Sequence, residues 1–143
     1  MRRCSRDEWA KFRKYHYLSS SINNAAICYG VYDKDKIVAF IGVLHFPNAV
    51  NKKIKSISRL CVLPDYQGIG IGKSFLRIVA KKYAEDGFDV KITTSAKNLI
   101  CALKNSPDWV LVRYGKTSKT KNGVEEFNAS IRDNCKTATF FFK

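Results

Sequence analysis

The order of apolar runs and turn residues predicts a mixed α/β fold, a mainly antiparallel central sheet flanked by helices and containing one parallel strand pair. Three observations carry this. Two apolar runs at 26–32 and 36–45 are separated only by Asp33-Lys34-Asp35, the spacing of an antiparallel hairpin. A strand-like segment at 54–63 leads through a glycine-rich run and an amphipathic stretch to a second strand-like segment at 88–94, and such a crossover sets the two strands parallel. The strands nearer the C-terminus follow one another more directly than a doubly wound sheet would allow.

The elements follow in order. Ser5-Arg6-Asp7-Glu8 has capping-box spacing ahead of Trp9 and Phe12, predicting a helix from about residue 6 to residue 17. Ser19–Asn24 supplies turn residues, and the hairpin comes next. Pro47, Asn48 and Asn51 mark a loop. Residues 54–63 alternate at first, become apolar through Cys61, Val62 and Leu63, and end as a strand at Pro64. Ile71, Phe75, Ile78, Val79 and Tyr83 share one face of a helix that runs to about Ala84, and Gly87 stops it. Phe88–Thr94 reads as a strand and Ala96–Lys104 as a short helix. Trp109–Tyr114 and Thr137–Phe142 read as the last strands, with a further strand expected at Val124–Ile131.

Composition narrows the class. A chain of 143 residues with 45% hydrophobic and 27% charged residues is that of a globular protein, and the absence of repeats or linkers predicts one domain over residues 1–143. The longest apolar run, Ile37–Leu44, is strand-sized, and the first residues carry no apolar leader, so a cytoplasmic protein without membrane spans is expected. Five dispersed cysteines lack the spacing of a disulfide framework or a zinc site and read as buried thiols. Lys and Arg number 26 against 12 Asp and Glu, a net charge of +14 that attracts polyanions, whether nucleic acid, an acidic protein or cofactor phosphates.

The chemistry concentrates in Gln67-Gly68-Ile69-Gly70-Ile71-Gly72. Glycines between a strand and a helix allow close backbone approach to a ligand, and the amides of a first helical turn favour an anion. A dinucleotide fingerprint is excluded because its third glycine position is Lys73. A P-loop is excluded because its first glycine position is Gln67, although Gly72-Lys73-Ser74 matches its end.

The form [Q/R]-x-x-G-x-[G/A], preceded by Val62-Leu63-Pro64-Asp65-Tyr66, resembles motif A of the GNAT superfamily of acyl-CoA-dependent N-acyltransferases. The element order from residue 6 to residue 114 is similar to that fold as well. The resemblance implies that the parallel pair is splayed, that the strand at 54–63 carries a bulge, and that acetyl-CoA is the co-substrate. It implies that the backbones of Leu60, Cys61 and Val62 meet the pantetheine arm. It further implies that Gln67, Gly68, Ile69, Gly70, Ile71, Gly72 and Lys73 hold the pyrophosphate. An amine on a substrate that the sequence does not identify would attack the thioester directly, with a main-chain amide near Leu60 stabilising the oxyanion. Cys61 as a covalent nucleophile is the alternative.

Two departures from the family pattern stand out. Residues 54–60 contain no carboxylate to serve as base, and the zone of the usual tyrosine acid holds Asn105 and Ser106. His16 and Tyr17, at the end of the first predicted helix, are the leading replacements, His16 on its pKa. Arg59 is a candidate for binding substrate phosphate, or else a structural ion-pair partner, and Ser95 for bridging to the thioester through water. His45 and Asp108 are weaker candidates. Short matches around Trp9, His16-Tyr17-Leu18 and Ser58-Arg59-Leu60 are similar to phage-borne, Mom-like GNAT-fold DNA-modification proteins. With the positive charge, these make DNA base modification a second reading. A non-catalytic nucleic-acid-binding module is the third.

Overall fold

The computed structural model describes residues 1–15, 21–116 and 136–143. Seven strands form one mixed sheet: β1 (Arg2–Cys4), β2 (Ile27–Asp33), β3 (Lys36–His45), β4 (Ile54–Val62), β5 (Asp89–Thr94), β6 (Trp109–Lys116) and β7 (Lys136–Phe142). Their spatial order is β1-β2-β3-β4-β5-β7-β6, antiparallel throughout except for β4 with β5. Among the described residues there are also two α-helices, α1 (Ile71–Glu85) and α2 (Lys97–Lys104). The predicted fold class, the hairpin and the strand–helix–strand crossover are all present. Residues 124–131, where a further strand was expected, lie outside the described residues.

The N-terminal segment departs from expectation. Residues 6–11 and 13–15 are 3-10 turns rather than the α-helix predicted over 6–17, and β1 precedes them unannounced. A 3-10 turn aligns residues i and i+3, and the apolar anchors Trp9 and Phe12 have that spacing. Ser5 caps the turn by accepting from the Asp7 amide. Glu8 completes no reciprocal capping box. Its carboxylate takes the Lys11 ammonium instead, at 2.8 Å.

The sheet buries both faces through strand alternation. One face carries Ala39, Ile41, Val43, Ile57, Val90, Ile92, Ala138 and Phe140 against Phe75, Leu76, Val79, Ala80 and Tyr83 of α1 and Ile100 and Leu103 of α2. Ile78, expected on this buried stripe, is 51% exposed, and Leu76 and Ala80 take the inward positions. On the opposite face Trp9 and Phe12 cover Phe40, Cys28, Ile37 and Cys61. Each large apolar side chain withdrawn this way contributes roughly 1.5–3 kcal/mol. Of the cysteines expected to be buried, Cys28 and Cys61 are. Cys4 is half-buried and Cys101 exposed, while Cys135 lies outside the described residues. No helix among the described residues is long and apolar enough to cross a membrane.

Candidate active site

The site begins with a register error that the fold tolerates. In the β3–β4 ladder Gly42 faces Arg59 but Val43 faces Ile57, so Ser58 is the extra residue of a bulge. Pairing of β4 with β5 stops at the same level, at Ile57 opposite Ile92. Beyond it the two strands separate. Leu63 donates its amide to the Val38 carbonyl at 2.9 Å, and alternation then commits the main-chain groups of Cys61 and Arg59 to β3. Those of Leu60 and Val62 point the other way, into the gap where β5 has left. Of Leu60, Cys61 and Val62, the alternation therefore leaves two with backbone groups aimed into the gap.

An open cavity of about 490 Å³ occupies this gap, walled by Leu60 and Val62, by residues of the turn from Tyr66 to Lys73, and by Ala96, Asn98, Leu99 and Ala102 of the α2 end. The turn is held rigidly from outside. Gln67 donates its side-chain amide to the Val62 carbonyl at 2.8 Å, and the Tyr66 hydroxyl donates to Asp33 at 2.9 Å. Gly68 (φ 83°) and Gly70 (φ 86°) take left-handed conformations that cost an L-residue roughly 1–2 kcal/mol each. At Gly72 a Cβ would meet Val62 Cγ2 at 3.3 Å, so the helix sits close on the strand.

The first main-chain bond of α1 is Ser74 N–H to the Gly70 carbonyl, and Gln67 N–H is bonded to the Pro64 carbonyl. The i→i−4 ladder of α1 opens only at that Ser74 bond, so the amides of Ile71, Gly72 and Lys73 stand ahead of it. They gather at a helix N-terminus with Lys73 exposed beside them, a donor set suited to a multi-oxygen anion. Among the described residues, no side chain of Asp, Glu or His lines the cavity.

Residues 1–101 match the model of the Acetyltransferase (GNAT) family. The chain belongs to that family. As a member it is an acetyltransferase, and acetyl-CoA is its co-substrate. The fold of this GNAT acetyltransferase is similar to that of a Bacillus subtilis acetyltransferase solved in complex with CoA (TM-score 0.60, 13% identity, 82% of this chain and 76% of that one). It is similar also to the ribosomal-protein-S18-alanine N-acetyltransferase of Escherichia coli (TM-score 0.60, 15% identity, 84% and 70%). An acetyl-CoA-bound GNAT acetyltransferase of Elizabethkingia anophelis gives a TM-score of 0.61 at 13% identity, over 83% and 76%. Compared by sequence with curated proteins, the chain matches none.

The candidate catalytic residues of this GNAT acetyltransferase scatter. His16 and Tyr17 lie outside the described residues. Arg59 lies on the sheet face away from α1, donating to the Ser58 carbonyl at 2.7 Å and the Ser21 carbonyl at 2.8 Å, with Trp9 beneath it at 5.8 Å. These two bonds make Arg59 a clamp on main-chain carbonyls. Ser95 follows β5, half-buried, next to Ala96 in the cavity wall. His45 is paired with Lys55 at the start of β4 and packs edge-on against Phe88, at the end of the sheet remote from the cavity. Asp108 is held by Arg77 of α1 at 3.0 Å, in a separate groove.

The Cys61 thiol is turned away from the cavity into the cluster of Trp9, Phe12 and Phe40, and burial pushes its pKa up to about 11. A thiol so protonated is a poor nucleophile at neutral pH. Sequence reasoning overlooked Tyr66, Ala96, Asn98, Leu99 and Ala102 as cavity wall. Tyr66 was legible as part of the motif, but the α2 residues carry no local signal.

Proposed function

We propose that this acetyltransferase moves an acetyl group from acetyl-CoA to a substrate amine by direct attack, with the turn at 67–73 gripping the diphosphate. The amine nitrogen bonds to the thioester carbonyl carbon, the carbon–sulfur bond breaks, and CoA leaves as the thiol. One observation carries the reading: the amides ahead of the first helical bond of α1 lie beside a cavity that begins where β4 and β5 cease to pair. The Leu60 carbonyl and the Val62 amide are assigned to the pantetheine arm, and the Leu60 amide to the oxyanion. His16, with Tyr17 beside it, is assigned proton removal, since no carboxylate or histidine among the described residues lines the cavity. Ser95 is assigned a water bridge to the thioester carbonyl, and Arg59 the support of the bulge that shapes the gap.

Stabilisation measured by thermal shift tests the donor: acetyl-CoA should raise Tm, while NAD and ATP at equal concentration should not. Equal responses to all three would overturn the assignment. Net charge +14 favours a polyanionic acceptor, nucleic acid included, as the second reading, in a protein working in the cytoplasm. Duplex-DNA binding that weakens steeply with salt, together with altered bases in DNA from expressing cells, would select it. Their joint absence would remove it.

A further inference from the structure

The face of the sheet opposite α1 carries a row of polar side chains that runs from the gap across three strands. Thr93 is the first residue of β5 beyond its last pair with β4. It is paired in register with Thr139 of β7, and Thr139 in turn with Arg113 of β6. Paired residues of neighbouring strands project from the same face. Ile92, Ala138 and Phe140 are buried against α1, which sends Thr93, Thr139 and Arg113 to the other side. The two threonine hydroxyls lie 2.9 Å apart. Whichever donates within the pair, the proton of the other remains for a ligand oxygen.

Thr93 and Arg113 are exposed, and Thr139 half-buried. Strands stand about 4.8 Å apart, so the row reaches about 10 Å sideways from the gap before the arginine side chain begins. The charge on this face is one-sided. Lys91, one row nearer the start of β5, lies over the Phe46 ring at 4.1 Å. Among the described residues of these three strands, the single carboxylate on the face is Asp89, which heads β5 and accepts from the Asn51 side chain.

From this juxtaposition we infer that the acceptor is an amine carrying its own carboxylate, an amino acid or a peptide, and that Thr93, Thr139 and Arg113 form its anion subsite. One guanidinium fork matches the two oxygens and the single charge of a carboxylate. The hydroxyl pair supplies a further donor at the edge of the gap. The inference rests on the donor assignment above, because the gap is where the thioester has to lie for the row to matter.

The test is release of CoA thiol from acetyl-CoA with amino acids, with their carboxamides and with O-phosphoethanolamine, using the full chain and its Arg113→Ala and Arg113→Lys variants. The wild type should favour at least one amino acid over its carboxamide by about tenfold or more in kcat/KM. Arg113→Ala should bring that ratio near one, and Arg113→Lys should keep part of it. Acetyl-CoA affinity and Tm are measured in parallel and should match wild type in both variants. Equal use of acid and amide, a ratio that survives Arg113→Ala, preference for the phosphate ester, or no turnover of any carboxylate-bearing amine by enzyme that binds acetyl-CoA would each overturn the subsite. Failure to bind acetyl-CoA at all would overturn the donor assignment instead, and the subsite with it.

Discussion

Gln67 Nε2 donates to the Val62 carbonyl at 2.8 Å, tying the glycine turn to the strand whose backbone faces the gap. That carbonyl points away from β3, so the bond satisfies an acceptor at the cavity edge while fixing the turn. Gln67→Ala should weaken acetyl-CoA binding about five- to tenfold, the worth of one net hydrogen bond. Because Gln67 is exposed, Tm should change little. Titration calorimetry checks the affinity; a wild-type value would mean that the turn keeps its shape without the bond.

Gly70 separates shape from charge. Its φ is 86°, and a Cβ placed there meets nothing within 4 Å. Gly70→Ala and Gly70→Glu should therefore share a backbone cost of about 1 kcal/mol. Only the glutamate sets a negative charge beside the donors, and it should weaken acetyl-CoA binding a further hundredfold or so. Similar affinities for the two variants would count against an anion at this turn.

Arg59 joins the bulge to the N-terminal cover through the carbonyls of Ser58 and Ser21. Arg59→Met keeps much of the apolar stem but loses both charged hydrogen bonds, and should cost about 2 kcal/mol in urea unfolding. Arg59→Lys should recover part of this. If both variants unfold like wild type, the clamp contributes nothing to holding the two segments together.

The buried Cys61 thiol makes a pH prediction. Its folded pKa is raised from 9.0 to about 11 by burial, so the folded chain holds a proton that the unfolded chain releases first. Stability from this group is complete below pH 9 and declines as pH rises towards 11. Cys61→Ala should flatten that part of the Tm–pH curve while lowering Tm at neutral pH through the cavity it leaves. At pH 7.5 the native thiol should resist iodoacetamide, whereas exposed Cys101 should react. Rapid labelling of Cys61 in the folded protein would contradict its buried placement.

Legibility followed the range of the forces involved. The hairpin at Asp33–Lys36, the strand ending before Pro64 and the helix opening at Gly70 were readable because turn chemistry and periodicity act within a few residues. The N-terminal helix was misread because Trp9 and Phe12 satisfy i+3 spacing in either helix type, and docking on Phe40 in a 3-10 form decides between them. β1 was missed because three residues carry no alternation. Its strand character comes from pairing with Cys28, Tyr29 and Gly30.

The residue order alone determined the family motif, the crossover that makes β4 and β5 parallel, and the lack of a carboxylate in residues 54–60. Each is a property of neighbours along the chain. Tertiary structure decided that Cys61 faces a closed cluster while Leu60 and Val62 face the gap. It also decided that Asn98 and Leu99 wall the cavity, and that Thr93, Thr139 and Arg113 stand in one row. The physical reason is that strand register and a single bulged residue determine which way each group points, and both are set by partners distant in the chain.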